Sequence, residues 1–271
     1  TPLLHYSITP LLHYSITPTP LPPTIPLLQY PNTPLLHYSM KILLFSFIIP
    51  VLHEAEGINH VIETLYHQFP DEVFEVIVVD GDLQGSTLQA LQRSDMIALT
   101  SSPGRGMQLN AGAEAAHGEY LIFLHADTTL PPNALQEVRA ILSDERYVAG
   151  AFTLRFDSRH WAMRLINLTA PWRTRLTRYP YGDQAIFMTK TYFNKLGGYA
   201  EIPIMEDLDL VRRIKKRGDK ICISKAKVLT SARRWEEEGI IYSSLRTWIL
   251  ASLYCSGVPA EKLVNYYRRH T

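Results

Sequence analysis

The sequence predicts an α/β protein, an open and mostly parallel sheet flanked by helices, in a single domain over residues 40–271. Three observations predict it. Strand-length apolar runs alternate with helix-length segments from Met40 to Leu142, the order that builds parallel sheets. The longest runs are apolar at consecutive positions, as strands covered on both faces are. Two runs lead into aspartates, Asp80 and Asp127, at the strand ends where open α/β sheets bind ligands.

The elements follow in order. The run from Met40 to Leu52 imitates a secretory leader, but His53-Glu54-Ala55-Glu56 stands where a small-residue cleavage site should lie, so a buried strand is the reading. Ile58, Val61, Ile62, Leu65 and Phe69 recur at helical spacing, giving a helix over 55–69. Phe74–Val79 forms a second strand ending at Asp80. A helix near 86–93 leads to a short strand at 96–99, and Gly104-Arg105-Gly106 opens a small-residue helix to about 117. Tyr120–Leu124 is the fourth strand, and Pro131 and Pro132 suit the first turn of a helix to Leu142. Beyond it come a strand over 148–156, an Arg-rich helix over 160–178, a strand at 184–188, a helix from Glu206 to about Arg217 and a helical region after Gly239. No linker separates the halves.

Residues 1–39 stand apart. TPLLHYSI fills 1–8, recurs at 9–16, and returns as TPLLHYSM at 33–40, while Lys41 is the first charged residue. Nine of the 18 prolines precede residue 35, which denies the segment a hydrogen-bonded ladder. It reads as a disordered repeat tail, with upstream repetitive sequence ahead of a start at Met40 as the alternative. The formal charge of +1 gives no global electrostatic case for nucleic acid. Cys222 and Cys255 fit neither a disulfide scaffold nor a cysteine zinc site. No stretch of 18 charge-free apolar residues occurs; Ile240–Cys255, broken by Ser243, Ser244 and Arg246, reads as core or as a helix lying on an interface. The expected location is cytoplasmic, with peripheral contact at the inner face of the membrane as a further option.

Several segments can carry chemistry. Asp80 precedes Gly81-Asp82-Leu83-Gln84-Gly85-Ser86-Thr87; its carboxylate can accept from a nucleobase or ribose, or cap the next turn. This is neither a P-loop nor a dinucleotide fingerprint. Asp127 in His125-Ala126-Asp127-Thr128-Thr129 can hold Mg²⁺ or Mn²⁺ while a diphosphate supplies other oxygens, or simply favour a helix start. Arg105, at a Gly-flanked helix N-terminus with Gln108 and Asn110 following, suits an anion, although small residues there also permit close packing. Glu206, Asp207 and Asp209 crowd one helical first turn, where the dipole favours acids and where a general base can stand. Asp183 and Gln184 in Tyr181-Gly182-Asp183-Gln184, and Arg234 and Trp235 in Arg233-Arg234-Trp235, are further polar clusters, the last able to form a cation–π lid.

Taken in order, these segments resemble the family 2 inverting glycosyltransferases of the GT-A, Rossmann-like fold, over roughly 42–260. The resemblance implies that Pro50 and Glu54 border the nucleotide and that Asp80 contacts the base. It makes Asp127 the metal-binding last acid of D-x-D, Asp207 the base of an E-D pair, and Arg234-Trp235 the late R-W. Arg105, Gln108 and Asn110 fall to the donor side, and Asp183, Gln184, Arg234 and Trp235 to the acceptor or lid. The set P-G-R-x-x-Q-x-N-x-G, H-A-D-T, Y-G-D-Q, M-E-D and S-A-R-R-W is closest to the radical-SAM/selenodomain-associated or arsenosugar-biosynthesis subgroup. His125 departs from the first acid of D-x-D, 82–87 departs from the subgroup's G-S-x-D-G-T, and Ser231 departs from the Gln of processive synthases. The implied activity is metal-dependent, non-processive, inverting transfer from a nucleotide sugar, a UDP-sugar favoured, to a small-molecule or lipid-linked hydroxyl acceptor. The rivals are a nucleotidyltransferase acting on sugar phosphates and a non-catalytic nucleotide-sugar binder.

Overall fold

The computed structural model describes residues 44–267; the expectations for 1–39 and for a start at Met40 lie outside the described residues. Phe45–Val51 is β1, and every residue of it except Pro50 is buried. Helix α1 (Ile58–Gln68) turns Ile58, Ile62 and Leu65 inward at the predicted spacing. Next come β2 (Phe74–Asp80), β3 (Ile97–Thr100), α2 (Arg105–Ala115), β4 (Tyr120–Phe123), the two-residue β5 (Thr128–Thr129) and α3 (Ala134–Leu142). The second half runs β6 (Ala149–Asp157), α4 (Trp161–Thr177), β7 (Phe187–Thr189), α5 (Lys190–Leu196), α6 (Glu206–Lys216), β8 (Ile221–Ser231), α7 (Arg233–Glu238), α8 (Ile240–Cys255) and α9 (Ala260–Tyr267).

The eight strands of the described residues form one sheet in the order β3-β2-β1-β4-β7-β6-β8-β5. From β3 to β4 neighbours are parallel. β7 is antiparallel to both β4 and β6, β8 is parallel to β6, and β5 is antiparallel to β8. The fold is therefore the expected mostly parallel α/β sheet. Phe45, Phe47, Ile49 and Val51 face one side, packing with α1, α3, Phe152, Phe156 and Val228. Ile48, Ile77 and Val79 face the other, against Leu109 and Ala113 of α2 and Leu210, Val211 and Ile214 of α6. Strands covered on both faces explain why these sequences show no alternation.

Two expectations are corrected and one strand is added. The helix near 86–93 is only a 3-10 turn at Leu88–Ala90, because Asp80 ties down the loop before it. The strand expected at 184–188 begins at Phe187; Gly182–Gln184 is a 3-10 turn and Ala185 is left-handed (φ 46°). The 11-residue β8 was not expected at all.

Candidate active site

The C-terminal ends of β1 and β2 are locked by one side chain. Gln108, buried on α2, donates from Nε2 to the carbonyls of Val51 (2.7 Å) and Val79 (2.9 Å). Asp80 is fully buried and accepts from the amides of Asp82 (2.9 Å) and Thr87 (2.8 Å). The Thr87 hydroxyl in turn accepts from the Glu54 amide at 3.1 Å. Asp80 thus organises the 81–87 loop and fastens it to the loop after β1. Pro50 lies where β4 no longer pairs with β1, since that pairing stops at Ile48–Phe123; its missing N–H costs no ladder bond there. Asn110 bonds the backbone of Tyr199 in both directions, at 2.8 and 3.0 Å. The amides of Gln108 and Asn110 are thereby committed to backbone groups.

Across from these loops stands the first turn of α6. Its three acids have three different environments. Glu206 is 4% exposed and accepts from the Arg105 guanidinium at 3.3 Å; burial holds its carboxyl above the usual range, opposed by Arg105 and reinforced by Asp207. Asp209 binds Arg213 at 2.6 Å and the Tyr254 hydroxyl at 3.1 Å. Asp207 accepts from backbone amides, Gly182 at 2.7 Å and Leu208 at 2.7 Å, and among the described residues has no ion pair. Met205, left-handed at φ 68°, sets the entry into this turn, a backbone conformation that costs a non-glycine residue free energy and recurs at functional sites.

Gly182 joins the turn to the end of β4. A Cβ there would stand 3.0 Å from His125 Nε2 and 3.6 Å from Asp207 Oδ2, so only glycine keeps this space open. His125 is half-buried. Desolvation first, then the charges of Arg105 and Arg234, push its imidazole well below its ordinary pKa and keep it neutral. Asp183 is raised to about 6 by burial and by Asp207, against the pull of Arg173 and Arg234, and its Oδ1 is buried without a hydrogen-bond partner. Asp127 is exposed and accepts from Thr128 Oγ1 at 3.3 Å. Glu54 senses both Asp127 and Arg233: burial raises it, Arg233 opposes and Asp127 adds. Carboxylates of Glu54, Asp127, Asp183 and Asp207 thus share one electrostatic neighbourhood with Arg105, Arg233 and Arg234.

Gln184 is fully buried; it donates to the Phe152 carbonyl at 2.7 Å and accepts from the Tyr181 amide at 3.2 Å, so it holds the 181–184 turn. Trp235 packs edge-on against Phe156 at 5.5 Å, while Arg234 donates to the Tyr267 hydroxyl at 2.7 Å. Residues not foreseen are Tyr199, Arg173 and Tyr267. Tyr199, buried beside Asp207 and Glu206, has its phenol pushed well above the ordinary value by desolvation and by both carboxylates. Tyr267 had no sequence signal; it reaches Arg234 only because α9 folds back.

The available donors suit a hard cation. Among the described residues no three His, Cys, Asp or Glu side chains converge into a complete metal cage; of the site's carboxylates, Asp207 is occupied by two backbone amides, whereas Asp127 is exposed and Asp183 Oδ1 is buried without a partner. One or two carboxylates completed by phosphate oxygens is how Mg²⁺ is usually held in phosphate-handling sites.

The chain is 29% identical over 108 residues to poly(ribitol-phosphate) beta-N-acetylglucosaminyltransferase TarS of Staphylococcus aureus, covering 37% of this chain and 19% of that protein. It is 27% identical over 151 residues to undecaprenyl-phosphate 4-deoxy-4-formamido-L-arabinose transferase of Pseudomonas syringae pv. syringae, covering 51% of this chain and 44% of that protein. It thus spans less than half the length of either curated relative. The solved structure of S. aureus TarS 1–349 superposes with a TM-score of 0.54 at 17% identity over 78% of this chain and 66% of that one. TarS 1–349 in complex with UDP-GlcNAc superposes with a TM-score of 0.53 at 17% identity, over 70% and 58%. At such identity the likeness shows the fold, which is GT-A-like. Residues 46–196, more than half of the chain, match the Glycosyl transferase family 2 description. On that match, the chain belongs to glycosyl transferase family 2.

Proposed function

We propose that this protein transfers a sugar, with inversion and without processivity, from a nucleotide-sugar donor to a hydroxyl acceptor, with Asp207 as general base. The observation that carries the reading is the contrast within one helical turn: Glu206 and Asp209 are engaged with arginines, while Asp207 is positioned by backbone amides alone. In the reaction the acceptor oxygen bonds to the anomeric carbon on the face opposite the diphosphate. The carbon–oxygen bond to the diphosphate breaks, its electron pair leaves with the diphosphate, and the hydroxyl proton passes to Asp207. Positioned proton transfer of this kind contributes about 10²–10⁴-fold in rate.

Asp80, Glu54 and Pro50 are assigned to the nucleotide side, where Gln108 and Asn110 act by bracing the loops. Arg105 acts there through Glu206, and Asp183, Gln184, Arg234 and Trp235 belong to the acceptor side. Asp127, with Asp183 Oδ1 within the same cluster, would hold Mg²⁺ or Mn²⁺, which when bound neutralises diphosphate charge. A UDP-sugar donor is favoured because TarS, which shares the fold, is solved with UDP-GlcNAc. Phosphate-bearing acceptors appear in the names of both relatives, poly(ribitol-phosphate) and undecaprenyl-phosphate; a lipid-linked or small-molecule acceptor is assigned here, with a cytoplasmic location. The ordered motif set supports the radical-SAM/selenodomain-associated subgroup.

A nucleotide-sugar panel with Mn²⁺, read by thermal shift and nucleotide release, tests this. A UDP-sugar should stabilise the protein in a metal-dependent way, and Asp127→Ala should abolish the metal dependence while leaving the unliganded melting temperature unchanged. If no nucleotide sugar shifts the melting temperature, the donor assignment fails.

A further inference from the structure

We infer that the outer faces of α4 and α8 form a docking surface for an anionic lipid bilayer. Along α4, Trp161, Leu165, Leu168, Trp172 and Leu176 recur every three or four residues, and each is 56–79% exposed. That spacing lays one apolar stripe along a helix, here turned to solvent. The opposite side of α4 is held to the sheet: Ala162 and Met163 are buried, and Asn167 bonds the backbone of Phe156 at 2.7 and 3.0 Å. Helix α8 touches α4 and exposes Ile241, Leu245, Trp248 and Ile249 at 56–60%. Three of the four tryptophans therefore lie on these two adjoining helices. Soluble proteins rarely leave contiguous apolar patches of this kind uncovered.

Charge selects the occupant. No Asp or Glu occurs from Ser158 to Gly182 or from Gly239 to Ala260, whereas Arg159, Arg164 and Arg175 are exposed. A second copy of this face would set arginine against arginine, while anionic headgroups complement it. Tryptophan and arginine beside an apolar stripe match the headgroup–acyl boundary, where such helices sink about 5–10 Å. No helix of the described residues is long and apolar enough to cross a membrane. Leu250, on the inner side of α8, packs with Ile204, two residues before Glu206, so the docked helix also supports the loop that carries the acids of α6. This inference does not depend on the transfer reaction, and its test reads no turnover.

The test is sedimentation of the full chain with vesicles of equal parts phosphatidylglycerol and phosphatidylcholine, beside pure phosphatidylcholine vesicles. The expected result is binding to the anionic vesicles that weakens with salt. Trp172→Gln and Trp248→Gln should each weaken partition about tenfold. Arg164→Gln and Arg175→Gln should each weaken it about fivefold. On the unaltered protein, brominated lipids should quench tryptophan fluorescence, a measurement that needs no variant to fold. Absence of both sedimentation and quenching overturns the proposal, as does a vesicle-free dimer that Trp172→Gln dissociates.

Discussion

The two halves of the sheet are built by different rules. From β3 to β4 every neighbour is parallel, the central strands are mostly apolar on both faces, and helices cover both. From β7 to β5 directions mix, and β8 carries Ser224, Lys225 and Lys227 within its 11 residues. The loops after β1 and β2 hang from the first half, while Asp183, Glu206 and Asp207 come from the second. The parallel part thus fixes one wall of the candidate site, and the irregular part supplies the wall whose carboxylates differ in environment. What differs between the halves is local pattern; they share a core, since Phe47 and Phe152 are both fully buried in one apolar cluster.

That shared core makes the largest expected effect. Phe47→Ala and Phe152→Ala should each cost about 3–5 kcal/mol, and both variants should unfold in one transition by calorimetry; two separated transitions would divide the halves. Gly112→Ala should cost about 1–3 kcal/mol, because its Cβ would meet Ile48 Cγ2 at 2.5 Å and wedge α2 off the parallel half; denaturant titration measures it. Asp183 sharpens the contrast through pH. Its folded pKa is raised from 3.8 to about 6, so between these values the folded state holds a proton that the unfolded chain releases. Stability then falls as pH rises through that window, by at most about 3 kcal/mol. In metal-free buffer, Asp183→Asn should flatten melting temperature against pH from 4 to 7, and an unchanged slope would remove Asp183 as its source. The smallest effect belongs to Trp235→Leu, which keeps apolar bulk and should cost about 1 kcal/mol for the lost ring pair with Phe156, with donor affinity unchanged by calorimetric titration.

The same contrast explains what the sequence disclosed. The parallel half was legible because strands covered on both faces are written as apolar runs, one ending at Asp80 and one followed by Asp127. β8 was not, although Ser224, Val228 and Thr230 point inward while Lys225, Lys227 and Leu229 point outward: a period-two signal that the lysines and buried hydroxyls disguised. The strand expected at 184–188 starts only at Phe187 because the left-handed Ala185 is invisible in composition. At the site, the residue types at Asp127, Glu206 and Asp207 were legible. The environments that tell them apart were not, since Arg105 pairs with Glu206 across 101 residues of chain. That Gln108, Asn110 and Gln184 brace backbone groups was not legible, because amides that hold backbone and amides that bind ligands are the same residue types.

The division of labour between adjacent acids is the central claim, and turnover of Asp207→Asn beside Glu206→Gln tests it most directly, with donor affinity measured for both. Asp207→Asn should keep donor affinity and lose about 10²–10⁴-fold in transfer rate. Glu206→Gln, which strips the charge from the buried partner of the exposed Arg105, should lower stability more than turnover. Near-wild-type transfer by Asp207→Asn, or a larger loss of turnover in Glu206→Gln at equal folded fraction, would contradict the account.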